Sequence, residues 1–140
     1  MPHSISFHTI KLSKKIQKQI GYRDPPLLLS NSEASALLLI IVSDQISQSA
    51  IAHHLGLEPA SVVTLIDQLE KKGLASRSKD ANGDRRKHQI TLTPKGQALA
   101  KEVEKKTYQL EKYIKKNIPK NELVLFAKTL DKITYLLERR

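Results

Sequence analysis

The run Asp84-Arg85-Arg86-Lys87 is where residue types and spacing point most directly to a chemistry. Consecutive cations beside a turn can engage a polyanion. Guanidinium forks match phosphate oxygens, and an arginine suits a narrow, electronegative groove. Asp84 can orient a neighbouring arginine through a bidentate pair. The plain alternative is a solvated, charged hairpin. No other set of residues competes. His53 and His54 are adjacent, so on a helix they point about 100° apart and grip a single ion poorly. The chain has no cysteine, which excludes disulfides, thiolate metal sites and thiol redox sensing. No glycine-rich loop precedes Lys95-Gly96, and neither a Ser-His-Asp neighbourhood nor paired carboxylates on one face occur. An enzyme, a metal site and a resident cofactor are therefore not expected.

The charge of the whole chain agrees with a polyanionic partner. Its 140 residues hold 24 Lys+Arg against 14 Asp+Glu, a formal net charge of +10. Such a balance suits nucleic acid or an anionic membrane surface. The charge is also local. Residues 1–23 carry Lys11, Lys14, Lys15, Lys18 and Arg23 and no acid. Residues 71–88 carry Lys71, Lys72, Arg77, Lys79, Arg85, Arg86 and Lys87 against Asp80 and Asp84. Residues 47–70 have neither lysine nor arginine. Aromatics are 4% of the chain and tryptophan is absent, so the core must be built from Leu, Ile, Val and Ala. The longest apolar run, Ala36–Val42, is too short to span a bilayer, and the N-terminus lacks a signal-peptide core. A soluble cytoplasmic protein without membrane contact is the expectation.

The elements that must position these residues follow from periodicity and punctuation. Ile16 and Ile20 among lysines predict an amphipathic helix from about Phe7 to Ile20, ended by Gly21. Ser30-x-x-Glu33 is a capping box ahead of a helix over residues 32–43, whose Leu37–Val42 segment should be deeply buried. Ser47 caps a short helix that ends near Leu55, and Gly56 supplies the turn. Pro59 opens the next helix, with Val62, Leu65, Ile66 and Leu69 as its buried stripe and Gly73 beyond its end. A strand over residues 74–78, an Asn82-Gly83 turn and a return strand over residues 87–93 make a hairpin. Thr93-Pro94 begins a helix running to about Lys116. Pro119 begins the last one, with Phe126, Leu130, Ile133 and Leu137 on one face.

Helix, glycine turn, helix, then hairpin is the order of a winged helix-turn-helix. In that motif one helix braces a second, which lies in the major groove. The stretches Ser47–Leu57, Val62–Leu74 and Asp80–Gly96 resemble the MarR family of transcriptional regulators. Asp84-Arg85-Arg86 followed by Leu92-Thr93-Pro94-x-Gly96 carries the likeness most strongly. It covers residues 32–96 well; the flanking helices match in kind and length.

The resemblance implies a mostly α fold with a small antiparallel β-hairpin wing. Residues 32–96 would form the DNA-binding lobe, and residues 1–24 and 97–140 the dimerisation helices. It implies a homodimer that binds double-stranded DNA at a pseudo-palindromic operator, more often as a repressor. A small aromatic or phenolic effector would relieve binding. Arg86 would take the wing-tip, minor-groove position, with Arg85 and Lys87 on phosphates and Asp84 as their support. On the recognition helix Ser61 can hold a phosphate, Val63 or Thr64 can touch a thymine methyl, and Gln68 can read adenine. Ser49, in the preceding helix, completes the DNA-binding candidates. Relatives often carry arginine where Thr64 and Gln68 stand, so guanine readout from this helix is not expected. An alternative stays open: an interaction module that binds protein through the acid-leaning recognition helix.

Overall fold

The computed structural model describes residues 3–78 and 88–140. In order these form α1 (Ile5–Ile20), α2 (Asn31–Ser43), β1 (Ile46–Ser47), α3 (Gln48–Leu55), α4 (Pro59–Lys71), β2 (Ala75–Arg77), β3 (Gln89–Leu92), α5 (Pro94–Asn117) and α6 (Lys120–Glu138). The chain divides into two compact units, Met1–Lys106 and Thr107–Arg140.

Helix boundaries follow side-chain chemistry. Ser4 accepts from the Phe7 amide, so α1 begins at Ile5, two residues before the expected start. The capping box forms in full: Ser30 Oγ accepts from Glu33 N at 3.1 Å, and Glu33 Oε1 accepts from Ser30 N at 2.9 Å. Such a cap contributes about 1 kcal/mol. Thr93 Oγ1 accepts from Gly96 N at 3.0 Å and starts α5.

The core of the first unit is aliphatic, as expected. Leu37 and Ile40 from α2, Ile51 from α3, Val62, Ile66 and Leu69 from α4, and Ile90 from β3 are fully enclosed. Each such side chain contributes roughly 1.5–3 kcal/mol by leaving water. The all-round burial expected of Leu37–Val42 does not occur. Leu38, Leu39 and Ile41 are only partly covered, and Val42 is 75% exposed. Composition alone gives a helix no inward side; α3, α4 and β3 cover only one face of α2.

The sheet is larger than a hairpin. Its strand order is β1-β3-β2, all antiparallel. Ile46 pairs with Ile90 and Ser47 with Gln89, while Ala75 pairs with Leu92. The two-residue strand β1 is too short to show a period, so sequence patterning missed it. It matters because Ser47 both pairs in the sheet and caps α3, accepting from Ala50 N at 3.1 Å. The start of α3 is thus tied to the root of the wing.

A second tie uses charge. Glu33 is buried, and Lys72, just after α4, reaches its Oε2 at 2.7 Å. Burial alone would raise the carboxyl's pKa. The hydrogen bond from Lys72 and the two from Ser30 outweigh that and hold it below the usual carboxylate range.

The second unit is built differently. Along α5 the half-buried positions continue through Leu110 and Ile114. In α6 no residue is buried: Leu123, Leu130 and Ile133 are half-buried, whereas Phe126 and Leu137 are exposed.

Candidate nucleic-acid interface

The candidate interface is assembled on α4, braced by α3. Gly56 takes the left-handed conformation (φ 64°) that turns one helix into the next, and its N–H bonds back to the carbonyls of α3. Leu57 N also returns to Ala52 O at 3.0 Å. Pro59 then opens α4. Val62, Leu65, Ile66 and Leu69 face the core, so at about 100° per residue the opposite arc is defined. Ala60, Thr64, Asp67 and Lys71 lie along its middle. Ser61 and Gln68 form one flank, and Val63 and Glu70 the other.

Of the residues singled out from sequence, Ser61, Thr64 and Gln68 are exposed on this outward arc. Thr64 Oγ1 bonds back to Ala60 O at 3.3 Å, which commits its hydroxyl locally and leaves its methyl as the outward group. Val63 is half-buried. Ser49 is exposed in the first turn of α3. Asp84, Arg85, Arg86 and Lys87 lie outside the described residues. Strands β2 and β3, which lead to that segment from either side, are in register from Ala75–Leu92 to Arg77–Ile90.

The far end of α4 is locked to the start of α5. The carbonyls of Lys72, Gly73 and Leu74 accept from Lys95 Nζ (3.2 Å), Thr93 Oγ1 (2.6 Å) and Thr93 N (3.0 Å). Gly96 completes the junction, because a Cβ there would lie 1.9 Å from Leu74 O. The Leu-Thr-Pro-x-Gly motif is therefore a helix junction: its threonine ties off one helix end while capping the next, and its glycine lets the backbones touch.

Sequence reasoning missed one residue of this region. Arg77, in β2, is by sequence only one cation of the basic cluster. Its Nε donates to Gln48 Oε1 at 2.5 Å and its guanidinium to Asp67 Oδ1 at 2.7 Å and Val63 O at 3.1 Å. It also pairs with Glu70. The available signal was Asp67 and Glu70 at i, i+3 on a helix, followed by a strand with arginine on its inward side.

The helix pair, the antiparallel strands after it and the outward polar arc together define a winged helix-turn-helix protein. Within that class, the MarR family model matches residues 29–88 of this chain. Solved structures share the fold along nearly the full length. Streptococcus pneumoniae FabT in complex with DNA is 20% identical, with 96% of this chain and 94% of that one covered, at a TM-score of 0.76. The S. aureus MepR–DNA complex is 22% identical over 94% and 97%, at a TM-score of 0.81. Bordetella bronchiseptica BpsR, whose DNA binding is regulated by 6-hydroxynicotinic acid, is 21% identical over 94% of each chain, at a TM-score of 0.77.

Proposed function

We propose that this protein is a sequence-specific, double-stranded-DNA-binding transcriptional regulator, a repressor that works as a homodimer on a pseudo-palindromic operator. The observation that carries this reading is the exposed arc of α4 bearing Ser61, Thr64 and Gln68, held between a buried stripe and the strands of a basic wing. The arc is short of cations, so base contacts come from Gln68 and the Thr64 methyl, favouring A·T pairs. Phosphate affinity comes from the wing, where Arg86 enters the minor groove, Arg85 and Lys87 meet phosphates and Asp84 steadies them. Ser61 and Ser49 add phosphate contacts. The DNA-bound relatives FabT and MepR support duplex DNA as the partner.

Residues 32–96 act as the DNA-binding lobe in this reading. Residues 1–24 and 97–140 supply the dimerisation helices, in keeping with an α6 that fully encloses no residue on its own. The two-fold axis of the dimer sets half-sites about one helical turn apart. A small aromatic or phenolic effector shifts the dimer between DNA-competent and incompetent spacings; regulation of BpsR by 6-hydroxynicotinic acid supports that chemistry. No metal or resident cofactor and no catalytic step enter this scheme, and its setting is the cytoplasm. Among the described residues, no helix is long and apolar enough to cross a membrane.

The test is binding to a duplex from upstream of the protein's own gene, against a shuffled duplex, across a salt series. A dimer stoichiometry, preference for the native duplex and a steep salt slope are expected. Absence of binding to either duplex at low salt would sink the reading. Arg86→Ala is expected to weaken binding by about 1–3 kcal/mol while leaving the dimer intact.

A further inference from the structure

Alone among the lysines and arginines of residues 71–78, Arg77 is turned inward, its side chain only 15% exposed against 58% for Asp67 and 36% for Glu70. Its contacts span three elements. Nε bonds to Gln48, itself buried at the start of α3; one terminal nitrogen takes Asp67 and Glu70; the other takes the carbonyl of Val63. Every anionic side chain within α4 is thereby engaged by one guanidinium.

This bears on how α4 can meet DNA. Asp67 lies in the middle of the outward arc, between Thr64 and Lys71. An unpaired carboxylate there would face phosphates across a groove about 12 Å wide. Like charges brought together at an interface oppose binding. A guanidinium covers two carboxylates better than an ammonium, because its planar fork holds several acceptors in fixed directions. The same contacts make α4 asymmetric. The Val63–Glu70 flank is closed by Arg77, so the Ser61–Gln68 flank is the one free to read.

We infer that Arg77 is a positioning residue of the DNA interface: it masks the carboxylates of Asp67 and Glu70 and so lets α4 approach the duplex with its Ser61–Gln68 flank. This inference rests on the DNA-binding reading above.

The full-length protein tests it by anisotropy on the upstream duplex at several salt concentrations, with thermal unfolding followed alongside. R77A is expected to bind about tenfold or more weakly than wild type. The deficit should shrink as salt rises, because it is Coulombic. R77A/D67N/E70Q should recover most of the loss, and D67N/E70Q alone should bind at least as well as wild type. A purely structural arginine would give a salt-independent deficit that the carboxamides leave in place, and that result overturns the inference. So does a folded R77A that binds like wild type. If R77A does not fold, R77K and R77K/D67N/E70Q replace the pair; recovery in the triple variant supports masking and its absence overturns it. A wild-type protein that binds no duplex overturns the DNA-binding reading and masking with it. Normal wild-type binding without rescue overturns masking alone.

Discussion

The stretch from Leu27 to Val103 and helix α6 contrast sharply in what they bury. Among the described residues, every buried apolar side chain except Ile20 lies in that stretch, and α6 contributes none. Helix α1 falls between. Ile20 is enclosed, but Ile5, Phe7, Ile10 and Leu12 are exposed. Apolar surface of this extent is unusual on a lone soluble chain. The lesson is that the lobe owes its fold to its own packing, whereas α6 has an apolar face that its own chain covers only in part.

That contrast can be broken most forcefully at the junction of α4 and α5. Gly96→Ala drives a Cβ against the Leu74 carbonyl and is expected to cost about 3 kcal/mol, read as a lower denaturant midpoint independent of protein concentration. A loss below about 1 kcal/mol would mean the junction yields easily. Ile66→Ala, in the enclosed stripe of α4, should cost about 2–4 kcal/mol in the same assay.

Leu130→Asp should act elsewhere. If the proposed homodimer forms through α6, its dissociation constant, measured by sedimentation, should rise about a hundredfold, with the lobe still folded. A stable, DNA-binding dimer in that variant would show that α6 is not the arm.

The smallest effect sharpens the picture inside the lobe. The carboxyl of Glu33 is held below its ordinary range in the fold, so its contribution to stability is complete above that range. The contribution is lost as pH falls through the depressed value. Glu33→Gln should cost about 1 kcal/mol at neutral pH, discounted because Lys72 is half in water, and should flatten the acid limb of the stability curve. An unchanged acid limb would remove the Glu33–Lys72 pair from the account.

Much of the lobe is legible in sequence because its signals are local. Ser30 and Glu33 announce a capping box, Gly56 a left-handed turn, Thr93-Pro94 a helix start, and Val62, Leu65, Ile66 and Leu69 a buried stripe. Each rests on backbone geometry within a few residues, and each is found in the fold. The exposed candidates Ser61, Thr64 and Gln68 were legible for the same reason, since a stripe that faces in leaves the opposite arc facing out.

What sequence alone determined, then, is what periodicity and punctuation encode: the order of the elements, the inner face of α4, and the sites of capping and turning. Tertiary structure decided the rest. It gave Val42 to solvent, added β1 to the sheet, set Gly96 against Leu74, and brought Arg77 to Gln48, Asp67 and Glu70. These depend on which residues distant in sequence meet in space. A two-residue strand has no period, and the direction of one arginine on a strand is chosen by the acids across from it.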